Sequence, residues 1–153
     1  MDMIKIGLTM KATIRHYQER DLSDLLTAWE NASKTAHPFL TKEFLEQERY
    51  NIPNLYIPNA DTWVVVDDDK VVGFIALIGT EVGAIFVDPS YHGRGLGKAL
   101  MDKAYSLHSQ LEVEVFKENA IGRRFYDRYG FQLLHEKMHK ETGNMLLRLA
   151  FTA

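Results

Sequence analysis

Residues 87–98 read Val87-Asp88-Pro89-Ser90-Tyr91-His92-Gly93-Arg94-Gly95-Leu96-Gly97-Lys98, with three glycines at alternate positions between a β-branched run and a helical one. A turn of this kind lets the backbone pass close to a ligand. It also leaves amide N–H groups free at a helix N-terminus, where the helix dipole favours an anion. Arg94 and Lys98 add fixed positive charge, so in chemical terms the segment is a cradle for phosphate. The alternative is a plain tight turn with both cations solvated. Two common phosphate loops are excluded. The dinucleotide fingerprint requires glycine at Lys98 or at Leu100, and the nucleoside-triphosphate loop requires glycine at His92 and a hydroxyl residue at Ala99.

What fits instead is a resemblance. The segment resembles the acetyl-CoA-binding motif of the GNAT superfamily of N-acetyltransferases, Arg/Gln-x-x-Gly-x-Gly/Ala after a strand that ends near Val-x-Pro. Here His92-Gly93-Arg94-Gly95-Leu96-Gly97 occupies the motif, with His92 where arginine or glutamine is usual. A histidine still donates from a ring nitrogen, but with only partial charge near neutral pH. If His92 touches the pyrophosphate, CoA affinity weakens as pH rises from about 6 to 8.

The resemblance implies a second cluster after the next strand, and Glu118-Asn119-Ala120 followed by Arg123-Arg124-Phe125-Tyr126 supplies it. By that likeness Asn119 contacts the pantetheine and Tyr126 gives its proton to the departing CoA thiolate; the bland reading of Tyr126 is a packing residue. The strands before and after the glycine turn are expected to splay, with backbone groups of Phe86 and Val87 receiving the pantetheine arm and polarising the acetyl carbonyl. Glu81 is the family-based candidate for the base that takes the acceptor's proton, with His37 and His92 as alternatives. The acceptor pocket is expected from Trp29, His37 and Phe39, and Trp29 serves equally well as core.

These side chains need a frame. Leu22, Leu25, Leu26 and Trp29 share one helical face over 21–33, and Thr41 can cap a second helix. Pro53 and Pro58 mark 51–60 as a loop. Lys11 to Tyr17, Thr62 to Val66, Val71 to Ile78 and Val82 to Val87 read as strands. A helix follows the glycine turn, then a strand to Phe116, a helix ended by Gly130, and a closing pair of strands. The order is βααβββαβαββ, an α/β fold with a mixed sheet, which is the GNAT order.

Composition sets the limits. The 153 residues, 46% hydrophobic and 25% charged, suit one domain, 1–153, with 1–9 as an extension if Met10 is the start. The net charge of −3 argues against a nucleic-acid partner, charged tRNA included. No apolar run approaches the roughly 20 residues that cross a bilayer, so a cytoplasmic protein without a membrane partner is expected. There is no cysteine, which excludes an acetyl-cysteine relay and cysteine-based metal sites. The resulting expectation is transfer from acetyl-CoA, without a metal, to a primary amine by direct attack. A CoA-binding sensor lacking transferase chemistry is the alternative. Homodimers are common in the family the chain resembles.

Overall fold

A computed structural model describes residues 12–152; the extension read over 1–9, the alternative start at Met10 and Lys11 of the first strand lie outside the described residues. The elements are β1 (Ala12–His16), α1 (Leu22–Ala36), α2 (Lys42–Asn51), β2 (Asp61–Asp67), β3 (Lys70–Ile78), β4 (Glu81–Val87), α3 (Leu96–Leu107), β5 (Gln110–Phe116), α4 (Ala120–Tyr129), β6 (Gln132–His139) and β7 (Asn144–Thr152). Their order is the expected βααβββαβαββ.

Local chemistry accounts for most boundaries. In α1, Leu25, Ala28, Trp29 and Ala32 form the buried stripe. The Thr41 hydroxyl caps α2 by accepting from the Phe44 N–H at 3.1 Å. Asp68 and Asp69 take positive φ in the tight turn between β2 and β3, a conformation that Asp tolerates. Gly130 ends α4 at φ +117°.

The segment 51–60 departs from the expected loop. It forms a π-helical turn over Ile52–Tyr56 and a 3₁₀ turn over Ile57–Asn59. Pro53 and Pro58 each remove a backbone N–H from a stretch that runs on from α2 without a break, and the change from α to π and then 3₁₀ turns accommodates the missing donors. Ile52 is buried against Leu25, Trp29 and Phe74 and anchors the segment.

The seven strands form one sheet in the order β1-β2-β3-β4-β5-β7-β6. Among these strands only β4 and β5 run parallel, and their register holds just Glu81↔Glu112 and Val82↔Val113. Beyond those two pairs the strands diverge, as expected. One face of the sheet packs Val82, Leu111, Val113, Val115, Leu147 and Leu149 against α3 and α4. The other packs Val64 and Phe74, with Ala84 and Phe86 at its edge, against α1. The diverging strands thus open a gap between two well-packed layers.

Candidate active site

Gly93 and Gly95 take φ of +81° and +77°, and a Cβ at either would meet nothing within 4 Å. Gly95 is the N-cap of α3 and carries no side chain to satisfy the first turn. Ala99 is the first residue of α3 to bond back, to the Gly95 carbonyl at 3.0 Å, leaving the N–H groups of Leu96, Gly97 and Lys98 without helical partners. Three free amides, a helix N-terminus and open space above two glycines fit a pyrophosphate. Leu96 contributes backbone alone, since its side chain is buried. Gly97 serves packing instead. A Cβ there would come within 3.1 Å of the Phe125 ring, so its lack of a side chain lets α3 and α4 close together.

The motif's cations are already engaged with carboxylates. Arg94 lies 3.3 Å from Asp67 and over the Tyr91 ring, while Lys98 lies 2.9 Å from Asp102. The Lys98–Asp102 pair is exposed, as is the Arg94 side chain although Asp67 is largely covered, so a polyphosphate can draw both cations from their carboxylates. Lys98 lines the cleft together with Arg124 and Arg128 of α4. Arg123 turns away to the Lys117 carbonyl.

Two expectations at the strand edge change. His92 Nε2 donates to the Val87 carbonyl at 2.9 Å, which directs that nitrogen to the backbone of β4 rather than to an anion. Phe86 is not a backbone donor to the opening. Asp88 N–H bonds the Val72 carbonyl at 2.8 Å, and alternation along the antiparallel β3–β4 ladder then turns the Phe86 N–H and C=O to β3 as well. The groups that face the open side belong to Ile85 and Val87. The Phe86 ring instead looks toward His37, 6.2 Å between centroids.

Asn119 is buried and spent on structure. Its Oδ1 caps α4 by accepting from the Gly122 N–H at 2.8 Å, which leaves Nδ2 to donate to His37 Nε2 at 3.3 Å. The amide expected on the pantetheine is therefore directed elsewhere. Tyr126 lies about two turns further along α4, buried between Phe125 and Phe131 and lining the cleft. Burial alone pushes its phenol up, so the side chain stays a neutral O–H donor at any working pH. Burial also pushes His37 down, to about 4.

Glu81, the expected base, is held by Arg148: Oε2 sits 3.0 Å from the guanidinium. That cation occupies the oxygen needed to take a proton. Glu81 also stands at the closed end of the β4–β5 gap, where the strands still pair. Trp29 is 7% exposed and belongs to the core against α1, although its edge reaches the cleft. Phe39 stacks edge-on against His37 and Phe116, 5.8 and 5.5 Å away.

Several lining residues carried no signal in the sequence. Phe116 at the diverging end of β5 meets His37, Phe39 and His139 at 5.4–5.5 Å. Phe44 of α2 meets His139 at 5.8 Å. Glu48 accepts a 2.7 Å hydrogen bond from Tyr56, whose phenol is pushed up to about 12 by burial and by that carboxylate. The family resemblance brings Asn119 to this gap, but nothing in the sequence singles out Phe116, Phe44 or Glu48. The whole cleft is about 1310 Å³, above the range typical of one drug-sized ligand and suited to two substrates meeting. Among the described residues no group of three or more His, Asp or Glu could hold a metal.

A mixed sheet split at β4–β5, with an anion cradle on the intervening turn, defines an acyltransferase of the GNAT class. Residues 58–133 match the family model described as an acetyltransferase (GNAT) domain. The chain is 32% identical over 130 residues to the peptidyl-lysine N-acetyltransferase YiaC of Escherichia coli, covering 84% of this chain and 89% of that protein. It is 30% identical over 145 residues to the peptidyl-lysine N-acetyltransferase YjaB of the same organism, covering 93% and 98%. The solution structure of apo YjaB superimposes with a TM-score of 0.84 at 28% identity, over 94% of this chain and all of that one. The chain belongs to the GNAT family and is an acetyl-CoA-dependent N-acetyltransferase acting on an amine.

Proposed function

We propose that the protein acetylates the ε-amine of lysine side chains in peptides or proteins, by direct attack within a ternary complex. The observation that carries this reading is the division of charge along the cleft. Lys98, Arg124 and Arg128 line it on the α3–α4 side, with Asp102 beside Lys98, whereas Glu48 of α2 lines the opposite side among Phe44, Phe86 and Phe116. An anionic cofactor and a cationic acceptor with a long apolar stem would each find matching surroundings. The relatives YiaC and YjaB are peptidyl-lysine acetyltransferases, which favours the same acceptor class.

In this reading the amides of Leu96, Gly97 and Lys98 hold the pyrophosphate. The Ile85 and Val87 backbone orients the pantetheine arm along β4. Acetyl-CoA supplies an activated acyl carbon. Tyr126 keeps its proton until the C–S bond breaks, passes it from Oη to the leaving thiolate, and regains one from the nitrogen that has formed the new amide. The absence of cysteine removes the common nucleophile for a covalent relay.

The test is thiol release from acetyl-CoA with a panel of lysine peptides, N-terminal peptides, free amino acids and aminoglycosides. Lysine peptides should be turned over with the highest kcat/KM, and intact-mass measurement without acceptor should show no acetyl-enzyme. Preference for an α-amine or an aminoglycoside would overturn the acceptor. A stable acetylated protein that passes its group on would overturn direct attack.

A further inference from the structure

The last hydrogen-bonded pairs before β4 and β5 part include Glu81 directly beside Glu112. Adjacent carboxylates on neighbouring strands repel, so this is a poor choice for half of so short a ladder. Backbone alone gives little compensation, one further bond from Glu112 N–H to the Thr80 carbonyl at 3.0 Å. One residue from a third strand resolves the conflict. Arg148 of β7 places its guanidinium 3.0 Å from Glu81, 2.8 Å from Glu112 and 3.4 Å from Glu114. It is only 20% exposed, so these contacts are less screened than surface pairs. Its charge is kept against burial by hydrogen bonds to Glu112 and Glu81.

We propose that Arg148 is a positioning residue for acetyl transfer: it clasps β4 to β5 at the vertex of their divergence and so sets the gap in which the thioester is held. The geometry beyond the vertex depends on it. Five and six residues past Glu81 on β4 stand Phe86 and Val87, and four residues past Glu112 on β5 stands Phe116, on the two sides of the cleft. A small rotation of β4 against β5 at the vertex is multiplied at those ends. Every charged group facing the clasp has a place in it. Lys137 of β6 bonds Glu114 at 2.8 Å, and His135 of β6 lies opposite Arg148 in the register. Glu81 and Glu112 meet no cation other than Arg148 among these pairs. Loss of the guanidinium therefore leaves two half-exposed carboxylates side by side at the one point where the sheet must stay closed.

The test is a charge cycle read by calorimetric binding of coenzyme A and by steady-state kinetics, using wild type, Arg148→Met, the double variant Glu81→Gln/Glu112→Gln, and the triple variant. Arg148→Met should weaken CoA binding by about tenfold or more at pH 8, because one cation is removed from a part-buried cluster. The double variant should keep CoA affinity and kcat within about threefold of wild type, because neutral amides pair without a clasp. The triple variant should match the double one. If Arg148→Met fails to fold, the proposal is decided by whether the triple variant folds and binds CoA. A triple variant as impaired or as unfolded as Arg148→Met would overturn the proposal, as would wild-type binding by Arg148→Met. A large loss of kcat in the double variant with unchanged CoA affinity would also overturn it and return Glu81 to the role of base.

Discussion

Asn119 donates from Nδ2 to His37 Nε2 across 3.3 Å, and this contact ties the loop after α1 to the helix that carries Tyr126. The orientation is fixed by the other end of the amide, since Oδ1 must accept from Gly122. His37 Nε2 is therefore an acceptor and its proton resides on Nδ1. Protonating Nε2 would set two donors against each other, in a ring enclosed by Phe39, Phe86 and Phe116.

A stability consequence follows from that enclosure. In the unfolded chain His37 titrates near its ordinary value of 6.5, whereas in the fold it is pushed down to about 4. Between those values the unfolded chain binds more protons, so stability rises with pH. The contribution is complete above pH 6.5 and is lost as pH falls toward 4, amounting to at most roughly 3 kcal/mol. Urea midpoints at pH 4.5 and 7.5 should differ less in His37→Gln than in wild type. Equal pH dependence in the two would mean the ring is already charged or solvated.

Tyr126→Phe should lower kcat by about 10²–10⁴-fold while leaving CoA affinity within about threefold, since only the proton donor is lost. The ring contacts with Phe125 and Phe131 remain, so the thermal midpoint should barely move. Parallel losses of kcat and CoA affinity would make it a binding residue instead.

The order of elements, the cap at Thr41 and the anion turn were legible because each follows from local patterning: apolar period, a hydroxyl before a helix, glycines after a strand; the splay was implied by the family resemblance alone. What the sequence did not show is pairing across the gap. Glu81 reads as a free carboxylate until β7 brings Arg148 beside it, 67 residues away. Asn119 reads as a ligand donor until the fold places His37 against it, 82 residues away. Pro53 and Pro58 read as loop residues because proline breaks the α pattern, yet here the chain passes from α2 into π and 3₁₀ turns without leaving the helical path.

The glycines of the anion turn should separate by conformation. Gly95→Ala puts a side chain at φ +77°, a strain of about 1 kcal/mol, and its methyl enters the open cradle. CoA affinity should fall further than stability does. Gly97→Ala has no such backbone strain, but its methyl meets Phe125 at 3.1 Å and pushes α4 away from α3. There the thermal midpoint should fall as well, because α3–α4 packing is lost along with the site. Equal effects of the two variants on binding and stability would show that the turn is a packing element only.

His92 gives the last distinction. Were its ring on the pyrophosphate, its charge would count, and CoA affinity would weaken from pH 6 to pH 8. With Nε2 donating to the Val87 carbonyl, that N–H is present in the imidazolium and in the neutral Nε2 tautomer alike. The ring is thus a tether of the turn to β4 and not a direct ligand of the phosphate. Calorimetry with CoA at pH 6, 7 and 8 should give wild type and His92→Gln the same profile, because a glutamine amide can also donate to that carbonyl. His92→Ala should bind several-fold more weakly at every pH, since the turn loses its tether to β4. A profile that flattens only in His92→Gln would put the imidazolium on the phosphate after all.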